Sequence, residues 1–285
     1  MPGLPPQTSG RGERAESLRC RCTSRLGEGP RETTQAMLPE RLEKWHTMVD
    51  GVALEGVAVV VRGAINPPII TPQWLLDQGI VGQEDFDRQE VEVISRDLVA
   101  FSLGWLTCNA TPETLQFSTA DPDELLRVRD VALRTLELLS HTPVAALGIN
   151  RTFHSVTDSI DNFHAIGDTL VPKAFWAEEL VLPGTKDVTI QAVRPDLYGG
   201  YVQVAVQPSA AVPNAVFVLQ NDHFELTRVD AQPEVRAEFT GTPGTVEASP
   251  AKNDIAVEIL RDRFEDSLRR AERIRARVMA IGARS

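Results

Sequence analysis

Two histidines and two aspartates crowd the stretch Arg151-Thr-Phe-His154-Ser-Val-Thr-Asp158-Ser-Ile-Asp161-Asn-Phe-His164-Ala-Ile-Gly-Asp168. Read as a helix, His154, Asp158, Asp161 and His164 follow one another at steps of four, three and three, which brings all four to one face. Neutral imidazoles and carboxylates are ligands for Zn²⁺ and related divalent ions. The chemistry implied is that of a metal-dependent hydrolase or nuclease, with His154 and His164 as ligands and Asp158 and Asp161 as further ligands or base. The same residues also spell an ordinary amphipathic helix. Ile160, Phe163 and Ile166 make an opposing apolar stripe, and Asp158 is placed to cap it. On that second reading the polar face, with Arg151 beside it, is solvated or binds a partner, and no metal or cofactor is needed.

Elsewhere the chemistry is thin. His141 follows a helix and is expected to cap its carboxyl end, where an imidazolium is favoured. Asp222-His223 is expected to be a turn; as a general-base pair it would need a nucleophile that no motif supplies. The folded part has no Gly-x-Ser-x-Gly, no phosphate-cradling Gly loop with Lys, no Cys-x-x-Cys and no His-Glu-x-x-His. Asn66 and Asn150 each follow an apolar strand-like run. If the two runs are related, polar groups from both halves converge there; otherwise each Asn satisfies its own turn.

The elements that must position these groups organise around Asp121–Asn150. Asp121 caps a helix, Pro122 suits its first turn, and Leu125, Val128, Ala132, Leu136 and Leu139 form an apolar stripe widened by Leu126 and Leu133. Pro143 stops the helix, and Val144–Ile149 is strand-like. Before this seam lie the β-branched run Val57–Val61, expected to be central in a sheet, and a short helix capped by Thr71 with Pro72 first and Gly79 last. An acidic loop (Glu84, Asp85, Asp87) and three strands follow: Val91–Ser95, Leu98–Thr107 and Thr114–Ser118. After the seam the order repeats. Val171–Trp176 answers Thr71–Leu76, Val188–Val193 answers Val91–Ser95, and Arg194-Pro-Asp196 answers Arg96-Asp97. Tyr201–Val206 and Ala215–Leu219 answer the next two strands. A long helix from Asn253 or Asp254 closes the half, its late Arg269, Arg270, Arg273, Arg275 and Arg277 suiting the carboxyl-end dipole. The expected fold is therefore α+β: a duplicated strand, helix, three strands and long helix, joined as one curved antiparallel sheet of about eight strands with two long helices on one face.

At fold level this order resembles the duplicated saddle of the TATA-binding protein, a likeness that implies nothing about DNA. The seam wording, with Gly-Ile-Asn after the apolar strand, and the closing Leu-Gln-Asn-Asp-His are similar to a sporadically distributed bacterial family of duplicated α+β proteins. That resemblance spans residues 54 to 280 or so and implies the architecture, with no activity attached.

Composition narrows the function. The net charge of −11 disfavours nucleic acid and anionic membrane surfaces. No apolar run approaches the roughly 18 residues of a membrane span, and no signal-peptide core opens the chain. Three cysteines make no disulfide framework, Cys108 reads as a buried strand thiol, and a reducing cytoplasm is the expected setting. Residues 1–47 read as a flexible tail or an over-long start, 48–142 as the first half and 143–285 as the second. Asp230–Asn253 has no counterpart in the first half and is expected to be the most mobile folded segment. The reading that fits all of this is a non-enzymatic bacterial binding or assembly protein acting through a protein partner or homo-oligomerisation.

Overall fold

The computed structural model describes residues 51–229 and 247–283; the segment 1–47 and most of 230–253 lie outside the described residues. β1 (Val52–Gly63) carries the β-branched run, and its side chains alternate, with Val57, Val59 and Val61 buried and Ala58 and Val60 half-exposed on the other side. Although β1 is central, only one of its faces is in the core. A short 3-10 turn (Pro67–Ile69) leads to α1 (Pro72–Asp77), where the Thr71 hydroxyl accepts from Trp74 N–H at 3.1 Å and Gly79 ends the segment at φ +64°. The expected acidic loop contains a second short helix, α2 (Gln83–Phe86). Its Asp85 is buried, accepting from Trp105 Nε1 and from Arg127, both at 2.8 Å.

β2 (Glu90–Ile94), β3 (Val99–Ser102), β4 (Thr107–Thr111) and β5 (Thr114–Thr119) follow. The single strand expected over Leu98–Thr107 is thus two, because Gly104 takes φ +78° and Leu103 N–H closes a turn onto Leu106 O at 2.8 Å. The first half has four strands after its short helices, not three. Asp121 caps a 3-10 turn (Pro122–Glu124) by accepting from Asp123 N–H at 3.1 Å, and α3 (Leu125–Leu138) continues from it. Val128, Val131, Ala132, Thr135 and Leu136 are buried, whereas Leu126 points to solvent and does not widen the stripe.

β6 (Val144–Val156) runs six residues beyond Asn150, and α4 (Ile160–Leu170) then starts at Ser159, which caps it by accepting from Asn162 N–H at 3.1 Å. The helix of the second half is therefore α4, and Val171–Trp176, expected to match α1, forms turns. β7 (Val188–Val193), β8 (Tyr198–Pro208) and β9 (Ala215–Arg228) complete the sheet. The single closing helix expected is two, α5 (Ala251–Asp262) and α6 (Phe264–Gly282), broken at Arg263. The break serves packing: α5 lies against α3, α6 lies against α4, and Phe264 at the joint is fully buried. Two late arginines do more than face a dipole, since Arg270 ion-pairs with Asp222 at 2.7 Å and Arg275 is buried. Asn253, in the span expected to be mobile, sits in the first turn of α5. Its Nδ2 donates to Leu139 O at 3.0 Å, closing the end of α3 that His141 was expected to cap.

The strands form one open antiparallel sheet in the order β2-β3-β4-β5-β1-β6-β9-β8-β7, nine strands where about eight were expected. β1 and β6 pair at its centre, Val57 with Arg151, Ala58 with Asn150 and Val59 with Ile149. The helices pack on one face, where two apolar clusters form. One joins Val59, Phe117, Leu147 and Phe224 to α1, α3 and α5. The other joins Phe153, Val206 and Val218 to α4 and α6. Among the described residues no helix covers the opposite face, and no helix is long and apolar enough to cross a membrane.

Because the central pair joins the two halves, cleaving the chain near Thr142 should leave each half with a bare strand edge and half an apolar cluster. Separately expressed fragments are expected to lack a cooperative thermal transition and to regain one on mixing. Sharp, independent transitions for both fragments would contradict the shared sheet.

Candidate functional site

The structure separates the histidines and aspartates that the spacing brought together. β6 continues through His154 because β1 and β9 offer it partners on both sides, so His154 is a strand residue. It lies on the uncovered face, with Nδ1 2.8 Å from Ser209 Oγ and its ring 4.8 Å from Phe217. Asp158 is an exposed loop residue, and the cap expected of it is supplied by Ser159. Asp161 and His164 do stand on α4, both exposed. Among the described residues no three His, Cys, Asp or Glu side chains gather as metal ligands would.

Asn66 and Asn150 do not occupy matching strand ends. Asn66 is exposed beyond the end of β1, whereas Asn150 is in the middle of β6, opposite Ala58 and Asn221. Asn150 instead opens a row across the uncovered face, Asn150-Asn221-Gln203-Gln191, one amide side chain from each of β6, β9, β8 and β7. Arg151 turns the other way and is buried. It pairs with Glu55 and, at 3.2 Å, with Glu272, donates to Gly56 O at 3.1 Å, and lies over the Phe153 ring at 4.4 Å. It therefore ties β1, β6 and α6 together from inside.

The expected Asp222-His223 turn lies within β9. Asp222 faces the helices, almost wholly buried between Arg194 and Arg270, while Arg194 also holds Asp196 at 2.7 Å and covers the Phe224 ring at 3.4 Å. The Arg-Asp turn of the second half is thus a buried charge cluster, fastening the β7–β8 connection to β9 and α6. His223 faces outward, stacked on Tyr201 at 4.5 Å. Burial holds the His223 imidazole below its ordinary pKa, with Arg194 and Arg62 pushing the same way against Asp222, and burial does the same to His154. Burial also pushes the Cys108 thiol far up, so it stays protonated in β4.

What spacing did not reveal is a corner beside α4. Between α4, the segment 171–187 and the ends of β7, β8 and β9 lies a cavity of about 450 Å³. Phe163, Ile166, Leu170, Leu182, Val188 and Val206 line it with apolar surface. Lys173 staples its rim, its ammonium reaching Asp168 at 2.9 Å, Val171 O at 3.3 Å and the Thr185 hydroxyl. Thr185 in turn donates to Gly167 O at 3.0 Å. A Cβ at Gly167 would sit 3.2 Å from that hydroxyl, so glycine lets the loop lie against the helix. With its three N–H directions engaged, Lys173 shapes the rim and is not placed as a base. The one signal in the sequence was a cluster of large apolar residues, Phe175-Trp176 and Leu180-Val181-Leu182, in a stretch with no helical or strand period.

No protein-family model and no curated protein matches the chain.

Removing one partner from a buried charge cluster leaves the others uncompensated, at about 3–5 kcal/mol. Asp222→Ala is accordingly expected to lower unfolding stability by roughly that amount in urea titration; a loss below about 1 kcal/mol would show that the cluster is dispensable.

The two depressed imidazoles set a second expectation. The unfolded chain, with histidines near 6.5, takes up protons that the folded chain refuses. Stability is therefore complete above that value and falls as pH drops through it. Melting temperature should hold steady above about pH 7.5 and decline towards about pH 5.5, less steeply in His223→Asn. A flat or rising profile over that window would contradict the assignment.

Proposed function

We propose that the protein is a non-enzymatic binding or assembly protein of the bacterial cytoplasm, and that its working surface is the apolar corner formed by α4, the segment 171–187 and β7. The observation that carries this reading is where the large apolar side chains are. Phe175 is 78% exposed, Val181 and Leu182 are 93% exposed and Ile190 is 61% exposed, with Trp176 and Leu180 also uncovered, all within residues 175–190, the stretch from which Leu182 and Val188 line one open apolar cavity. Isolated apolar residues on a surface need no explanation, but a contiguous group marks an interaction site. An apolar floor with one pre-paired lysine and aspartate suits a hydrophobic side chain of a protein partner. The acidic charge of −11 weighs against nucleic acid and anionic membrane as partners.

The metal-hydrolase alternative finds no such support, since its four side chains are spread over a strand, a loop and a helix. The order of strands favours reading the halves as duplicates: β1 and β6 lie side by side, and the other strands follow outward as β5-β4-β3-β2 on one side and β9-β8-β7 on the other. We carry the likeness to the saddle fold and to the duplicated bacterial family on that symmetry, four outer strands against three notwithstanding.

The purified full chain is expected either to run above 31.3 kDa in light scattering or to light up an apolar fluorescent dye. Phe175→Ser with Leu182→Ser should abolish whichever signal is seen and leave the melting temperature of the dilute, monomeric chain unchanged. A chain that is monomeric and also dark with the dye would overturn the reading.

A further inference from the structure

Resting on that reading, we infer that the partner at this corner is a second copy of the same chain, joined β7 to β7 in antiparallel fashion so that the sheet continues across a two-fold axis. The sheet has two edges, and they are built differently. β2 is guarded: Glu90 and Glu92 stand on it, Arg88, Arg96 and Asp97 flank it, and its register slips between Val91 and Val93. Charges and irregular register are what keep an edge from pairing with another chain. In β7, Val188-Thr-Ile-Gln-Ala-Val193, there is no charge, no proline and no glycine, and its pairing with β8 is unbroken over all six residues; of its flanking charges, Asp187 is held by Thr189 and Gln207 and Arg194 is buried, leaving Lys186. Its outward N–H and C=O groups form a regular, unguarded ladder, with no further strand beside it among the described residues.

Charge selects a copy of this chain over other occupants. A two-fold interface sets the middle of β7 against itself, so any ionised residue there would meet its own like charge. With the axis through Ile190, that side chain meets its own copy on the helix side, and Gln191 lies opposite the partner's Thr189 on the uncovered side. Ile190, 61% exposed in the single chain, gains an apolar neighbour of its own kind. Gln191, which ends the amide row on the uncovered face, can donate to the hydroxyl of the partner's Thr189. In a chain of net charge −11 the uncharged β7 is a place where two copies can approach without repulsion, and the acidic β2 edge is not. Size also fits. Each aromatic carries on the order of 150–250 Å², so Phe175, Trp176, Ile190 and Leu180–Leu182 together approach the roughly 800 Å² that one partner brings to a standard interface.

The test uses the full chain and three proteins: native, Ile190→Lys on the β7 edge, and Val91→Lys on the β2 edge as control. Light scattering across a wide dilution series should give twice 31.3 kDa for the native protein and for Val91→Lys. Ile190→Lys should halve that mass and melt, at any dilution, where the native chain melts once diluted to a monomer, since the side chain replaced is largely exposed in the single chain. Hydrogen exchange should show the outward-facing β7 amides, those not bonded to β8, protected in the native protein and released in Ile190→Lys. An Ile190→Lys protein that keeps the doubled mass, or outward-facing native β7 amides that exchange freely, would overturn the pairing. A native monomer whose dye signal disappears with Phe175→Ser and Leu182→Ser would remove the second copy as occupant while keeping the corner as a binding site. A native monomer without any dye signal would remove both.

Discussion

The antiparallel contact between β1 and β6 is the constraint on which the remaining structure depends. Each of these strands has a neighbour on its other side from its own half, β5 for β1 and β9 for β6, so the pair turns two partial sheets into one. It also places the apolar side chains of the two halves next to one another: Val59 sits beside Ile149, and Val61 beside Leu147. The helix layer is laid over this seam. α3 packs against β1 and β5, α5 against β6 and β9, and α3 and α5 against each other. With one face covered, alternation of side chains decides which residue types each strand can carry, valine and phenylalanine towards the helices and mostly amides, hydroxyls and small residues away from them.

Charge inside the helix layer is concentrated in the second half. Arg151, Arg194, Asp222 and Arg275 are all buried there, each held by partners that include residues of α6 or of the β7–β8 connection. Among the described residues the first half has only Asp85 in comparable burial, shared between Trp105 and Arg127. Replacing apolar filling by ion pairs does not in itself add stability. It does fix position, since a guanidinium with directed partners accepts fewer arrangements than leucine against leucine. The cavity corner is therefore built on the half whose strands and last helix are tied by directional bonds.

Local features of the fold were legible wherever a single residue sets the backbone. Thr71, Pro72 and Gly79 bound α1, Asp121 caps the turn before α3, and Pro143 separates α3 from β6, because capping and proline geometry act over a few residues whatever the rest of the chain does. Lengths were less legible. Arg151–Val156 has enough polar residues to pass for a helix, and it is a strand because β1 and β9, distant in sequence, supply hydrogen bonds on both sides. Leu98–Thr107 has the composition of one strand and is two, since the Gly104 turn shows only in the backbone. The candidate site was hardest to see. Its walls come from α4, a loop and three strands, so no window of sequence contains it, and its clearest sign, apolar residues without a period in 175–182, is one that a search for chemical groups passes over.

The same central pair has a consequence for how the chain emerges during synthesis. Ile149, the partner of Val59, is made 90 residues later, and Asp222, which then flanks Ile149, a further 73 residues on. At roughly 5–20 residues per second, β1 waits on the order of 5–20 seconds for β6 to be made, and β6 nearly as long for β9. Through that interval the most β-prone run in the protein, Val57–Val61, must be shielded from within its own half, chiefly by β5 and α3. Until β6 arrives the first half ends in the bare edge of β1, so a nascent chain must stay soluble with that edge open before the sheet can close.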